Sequence, residues 1–309
     1  MSFLSEYGTV WGQIPVTMGR TFFVSPGASY IIAGNTFSAS DNNDGLHPER
    51  ALRTVSRAVA LAADAADDVI VLLPGAHTVS TASLALSKSR LTITGLPSGK
   101  GGHLRPRTSI TTDITGDQIA NVTAANVEIA HLRIIPITAA AGIDLSAAAD
   151  SFYLHDCSFD LATPAASTST LGIDAIGAAS NVLIEDFYVE CDGAQGAAID
   201  VTGLVDSVVQ RFQMHLSAGT WAAAITAGAA TSRVLIQDGF IGGVGTAITA
   251  GISGTGATIA AGVQVNNMAF GSICTVPIDN FDAGEANINL CYKMGVGATD
   301  GGTLITAIT

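Results

Sequence analysis

Ile199-Asp200-Val201-Thr202-Gly203-Leu204-Val205-Asp206-Ser207-Val208 carries the two signals that decide the fold. One is a hydrophobic residue followed by a small polar one; the other, nine residues on, is a Val that opens a short β-branched run. The first signal returns as Ile143-Asp144, Ile173-Asp174, Ile199-Asp200, Ile225-Thr226, Ile252-Ser253 and Ile278-Asp279, in steps of 30, 26, 26, 27 and 26 residues. A repeat of that length marks a chain wound into stacked coils, in which each coil buries its apolar face only against the next. A second column keeps phase with the first: Val182, Val208 and Val234 follow Ile173, Ile199 and Ile225 by nine residues, Phe152 follows Ile143 likewise, and Val127 extends the column one coil earlier.

The repeat unit decides which solenoid this is. Asn181-Val182-Leu183-Ile184 and Ser232-Arg233-Val234-Leu235-Ile236 are short, β-branched and bounded by small or polar residues, as strands are. No helical period survives beyond residue 66, so helical repeats are excluded. The fold class read from this pattern is all-β: a single-stranded parallel β-helix, with strands of a few residues bonded to their equivalents above and below at roughly 4.8 Å.

Charged residues make up 13% of the 309, and mean hydropathy is +0.43. The longest apolar run, Val69-Ile70-Val71-Leu72-Leu73, stops at Pro74-Gly75, far short of the roughly 20 residues of a spanning helix. Met1-Ser2-Phe3-Leu4-Ser5-Glu6 lacks the basic and apolar regions of a signal peptide. Cys157, Cys191, Cys274 and Cys291 show no zinc-type spacing, and the expectation is four buried free thiols. Charge is uneven. Residues 1–107 hold nine Lys/Arg against seven Asp/Glu, and residues 108–309 hold four against nineteen. So acidic a stack repels nucleic acid and anionic membranes, and neither is an expected partner.

Three parts are expected along the chain. Residues 1–40 are rich in aromatics without the coil period and read as an arm or irregular cap. Residues 41–68 run from the turn Asp41-Asn42-Asn43-Asp44-Gly45 into a short capping α-helix, with Thr54 as N-cap and Leu52, Val55 and Val59 at helical spacing. Residues 69–309 are the coils, closed by an alternating tail, Gly301 to Thr309, that reads as one final strand. If a surface docks a partner, the candidates lie at the N-terminal end: Phe3, Tyr7, Trp11, Phe22 and Phe23, with Arg105 and Arg107 from the basic cluster around Pro106.

The runs Ser38 to Leu46, Pro48 to Val55 and Asp67 to Gly75 resemble the opening of pectate-lyase-like right-handed β-helix proteins, in which an Asn-Asp-Gly turn precedes a helix and an Asp-x-Ile-x-x-x-Pro-Gly segment forms the first coil. This implies the right-handed fold and says little about chemistry. The arm and the Ala/Gly/Thr-rich coils also resemble β-helical virion proteins of tailed phages. That resemblance implies a virion location, capsid or other virion proteins as partners, a homotrimer, and a decoration or head-fibre role. The alternative is a tailspike-type polysaccharide depolymerase or lyase on the same scaffold.

Two constellations could carry chemistry. In the register above, Asp144, Asp174 and Asp200 stack about 5 Å apart, and neighbouring charges would repel by about 3 kcal/mol at an effective dielectric near 20. Carboxyls at such spacing suit a cation or a glycosidase pair; the plainer reading is an outward row ending strands at turns. The second is the row His131, His155-Asp156, Glu185-Asp186, Arg211 and Gln237-Asp238, where His beside carboxylates can do acid–base work or simply form a polar turn. Lyases of this fold rely on Arg or Lys as base, and Arg133, Arg211, Arg233 and Lys293 are out of phase with one another. Asp41 to Gly45 places Gly too early for an EF-hand loop, and the glycines of 239–245 have no following Lys-Ser/Thr for a phosphate loop. No catalytic residue, metal or cofactor is assigned.

Overall fold

The computed structural model describes residues 19–96 (without 33 and 81), 106–113, 117–136, 140–161, 172–193, 196–254, 262–279, 281 and 286–294, together with the backbone of 303–305. It is a right-handed parallel β-helix built from two long sheets. Each complete coil contributes a first strand, a corner, a second strand in the same hydrogen-bonded sheet, a loop, and a third strand in the opposing sheet. The first strands stack from Thr21–Val24 through Val69–Leu72, Thr92–Gly95, Glu128–Ala130 and Tyr153–His155 to the long strands that begin at Leu183, Val208, Val234 and Val263. The third strands stack from Leu84–Leu86 to Cys274–Asp279.

The Ile column is in register at every step: Ile143, Ile173, Ile199, Ile225, Ile252 and Ile278 face one another in turn, and all are buried. A second interior ladder is aromatic. Phe187 lies flat on Phe212, with centroids 5.2 Å apart, and Phe159 meets Phe187 edge-on. All four cysteines are buried and free, as expected.

The Val column needs a correction. Leu183 pairs with Val208 and Val208 with Leu235, so the residue level with Val182 and Val234 is Ser207, and Val208 points outward by one position. This coil is one residue shorter between its third strand and the corner. Ser207 tolerates the core because its hydroxyl is satisfied: it donates to Val205 O at 2.7 Å and accepts from Val182 N at 3.0 Å.

Both corners of the first strand are made by residues in the left-handed region. Before the strand they are Asp67, Arg90, Asn126, Ser151, Asn181, Asp206 and Arg233, with φ between 49° and 60°. After it come His131, Asp156, Asp186, Arg211, Asp238, Asn267 and Leu290, between 47° and 55°. Asn and Asp are the non-glycine residues that accept this conformation most readily, which is why both columns are dominated by them.

The N-terminal boundary also differs from expectation. Thr21–Val24, inside the segment read as an arm, pairs in parallel with Val69–Leu72 and is the first rung of the long sheet. Phe22 and Phe23 are 2% and 5% exposed, so as core residues they cannot serve as docking contacts. An antiparallel hairpin, Ser29–Ile32 with Asn35–Ser38, follows. The helix spans Val55–Leu61, with Thr54 Oγ1 accepting from Arg57 N at 3.2 Å as its N-cap. It packs on the first strands and on Leu84–Leu86, closing the end of the stack where a third strand would otherwise lie bare. Asp41 accepts from Arg53 N, Thr54 N and Thr54 Oγ1, so this turn residue anchors the helix start. Thr303–Ile305 is a final strand, antiparallel to Cys291–Lys293.

Candidate functional site

The first strands display their outward residues as rows. Glu128 lies level with Tyr153, and Ala130, His155, Glu185, Gln210 and Gln237 follow one another in register. The corner column His131, Asp156, Asp186, Arg211 and Asp238 runs beside them, so the second expected constellation is one continuous polar face.

His155 is its centre. Its Nε2 lies 2.9 Å from Glu128 Oε1 and its Nδ1 2.9 Å from Asp156 Oδ2, while the ring stacks on Tyr153 with centroids 4.4 Å apart and meets His131 edge-on. Burial pulls the imidazole pKa down, but the hydrogen bonds and charges of Asp156 and Glu128 outweigh it and raise it to about 9. The bond from His155, with that from Thr92, holds Glu128 below the usual carboxylate range against its burial. His131 moves the other way: burial lowers its pKa more than Asp156 raises it.

Glu185 ties this cluster to the next coils. It accepts from Tyr153 Oη at 2.6 Å, Gln210 Nε2 at 2.7 Å and Arg211 at 2.6 Å. Burial acts to raise its pKa, and these donors outweigh it. Gln210 Oε1 in turn accepts from Gln237 Nε2 at 2.8 Å. Arginines across the stack are similarly engaged: Arg90 with Asp67, Arg133 with Asp160, Arg211 with Asp186, and Arg233 with Asp206. Each pair joins adjacent coils.

Asp144, Asp174 and Asp200 do stack, on the opposing sheet, with Asn121 before them and Thr226, Ser253 and Asp279 after. Burial, and then the charges of Asp200 and Asp144, push Asp174 up to about 6. Its Oδ1, together with Asn121 Oδ1 and Thr226 Oγ1, is buried and finds no hydrogen-bond partner among the described residues. Gln118 approaches Asp144 at 3.4 Å, and Asp200 accepts from Thr202 N at 2.9 Å.

Of the docking candidates, Phe3, Tyr7, Trp11 and Arg105 lie outside the described residues, and Arg107 is exposed. What the N-terminal end does show is a cavity of about 470 Å³ between the hairpin and the first coil, lined by Pro26, Tyr30, Ile31, Pro48, Leu73 and Leu96 among others. Ile31 is 67% exposed beside it.

Glu128 and Tyr153 were absent from the sequence-derived constellation, which followed the corner rather than the strand face. The signal was present in the alternation of Tyr153 with His155, since residues two apart in a strand share a face.

Neither a family model nor a curated protein matches the chain. Solved structures do. A pectin methylesterase from Aspergillus niger is 14% identical with a TM-score of 0.57, over 96% of this chain and 92% of that one. A pectin methylesterase in complex with a hexasaccharide is 10% identical with a TM-score of 0.55, over 83% and 89%. At such identities the likeness concerns the scaffold, and the chain has the right-handed, pectin-lyase-like parallel β-helix fold.

Proposed function

We propose that this chain is a structural β-helix of a tailed-phage particle, a decoration or head-fibre-like protein docked through its N-terminal region and assembled as a homotrimer. The observation that carries the reading is the pairing of charges along the stack. Arg133, Arg211 and Arg233, the described arginines of the coils beyond residue 108, are each bound to a carboxylate one coil away. Bases held in this way brace the rod and are poorly placed to abstract a proton from a polymer. The apolar cavity beside the exposed Ile31 gives the N-terminal end a surface suited to a protein partner.

Because Thr21–Val24 belongs to the core, the segment to remove is residues 2–17. The truncated protein is expected to fold, with an unchanged circular dichroism spectrum, and to lose co-sedimentation with assembled capsids. Unchanged capsid affinity would overturn docking through this segment.

The second reading is a polysaccharide-acting enzyme, favoured by one observation: a half-buried His155 held between Glu128 and Asp156 on an open sheet face. The fold is shared with pectin methylesterases. Host surface polysaccharides and pectin are the substrates to test. Cleavage or de-esterification abolished by His155→Gln would favour the enzyme over the structural role.

A further inference from the structure

The His131, His155 and Asp156 donors form a compact set spanning two adjacent coils. One ligand atom from each lies within 4.8 Å of the others: Asp156 Oδ2 is 2.9 Å from His155 Nδ1 and 4.0 Å from His131 Nδ1. Donors around a tetrahedral ion at about 2.0–2.1 Å lie about 3.3 Å apart, and the observed spacings bracket that value. The geometry points to a binding site for a borderline first-row divalent cation, of which zinc is the type, held by His131 Nδ1, His155 Nδ1 and a carboxylate oxygen of Asp156.

Three features beyond proximity support it. First, Glu128 Oε1 sits 2.9 Å from His155 Nε2. This is the carboxylate–histidine arrangement that fixes a ligating imidazole and leaves its other nitrogen for the metal. Entry of the ion displaces the proton shared between Nδ1 and Asp156 into solvent, while Nε2 keeps its proton for Glu128. Second, the set is pre-organised by backbone. His131 and Asp156 occupy successive positions of the left-handed corner column, with φ of 55° and 52°, and His131 N donates to His155 O at 3.3 Å. Third, the donors are two imidazoles and a carboxylate, which suit zinc, nickel or cobalt and disfavour calcium or magnesium. The three side chains are partly exposed, so the remaining coordination position opens to water. An ion there would staple one coil to the next, and the inference does not depend on whether the chain docks on a particle or acts on a polymer.

Calorimetric titration of the full chain with zinc, repeated with cobalt(II) while following visible absorption, tests it. One ion per chain is expected, with cobalt bands of nitrogen/oxygen coordination and a melting temperature that rises with zinc. His131→Asn and Asp156→Asn, both compatible with the left-handed corner, should each weaken binding at least tenfold. Glu128→Gln should weaken it by about tenfold or more, and Asp186→Asn, one rung further along the same column, should leave it unchanged. Absence of binding by the folded protein, or zinc affinity unaltered in His131→Asn or Asp156→Asn, would overturn the site. If a corner variant fails to fold, the Glu128→Gln titration decides in the same way.

Discussion

The ring of Phe212 occupies the space in which a side chain at Gly239 would begin: a Cβ there would fall 2.4 Å from Phe212 Cζ. Phe187, Phe212, Gly239 and Met268 are successive members of one interior ladder, so the glycine accommodates the ring of the coil before it. Gly239→Ala is therefore expected to cost about 2 kcal/mol through overpacking. Combining it with Phe212→Leu should recover part of that loss, because the smaller side chain vacates the space. Urea midpoints of the two single variants and the double variant check this; strictly additive losses would contradict the packing relationship.

Asn181 isolates the conformational cost of the corner, since its side chain is exposed and its φ is 58°. Asn181→Gly should be nearly neutral, and Asn181→Ala should destabilise by about 1 kcal/mol. Chemical denaturation of both variants distinguishes backbone cost from loss of side-chain contacts, which would affect the two alike.

Asp174 sets a pH dependence of definite sign. Its folded pKa of about 6 lies above the ordinary value of 3.8, so the folded state binds the proton more tightly than the unfolded state does. The resulting stabilisation is complete below about pH 3.8 and is lost as pH rises through 6. With allowance for solvent screening the effect is about 1 kcal/mol. Asp174→Asn should raise the melting temperature at pH 7.5 and not at pH 4. Equal shifts at both values would show that the carboxyl is not strained by its neighbours.

Burial pushes the Cys157 thiol up to about 12, and Cys274 likewise. Thiolate is the reactive form, so native protein at pH 8 should resist alkylation at both positions for as long as the coils stay closed. Mass spectrometry of peptides labelled before and after denaturation checks this, and labelling of Cys157 in the native state would mean that the stack opens there.

What could be read from the sequence was the part that repeats. The Ile column held at every coil because its strand is bounded on both sides by the same packing demand. The Val column slipped at Ser207 because Val208 and Val209 have equal β propensity, and spacing alone cannot detect a coil one residue shorter. A core serine becomes intelligible only once Val205 O and Val182 N are seen around it. The burial of Phe22 and Phe23 escapes the sequence for another reason: their rung pairs with Val69–Leu72, 48 positions further along the chain, outside any period. The polar row was visible at its corners, and Tyr153 follows from its alternation with His155, yet Glu128 enters the row through lateral register. Such register follows from the accumulated coil lengths and not from any local motif.

The reversed strand Thr303–Ile305 has a consequence for how copies of this chain can associate. A parallel stack propagates by offering each newcomer the same edge in the same direction, as fibrils do. Here the edge of Cys291–Lys293 is taken by a segment running the opposite way, and the helix Val55–Leu61 covers the other end. A second copy stacked on this edge would meet a strand of reversed direction, so the parallel ladder of the long sheet does not continue past it.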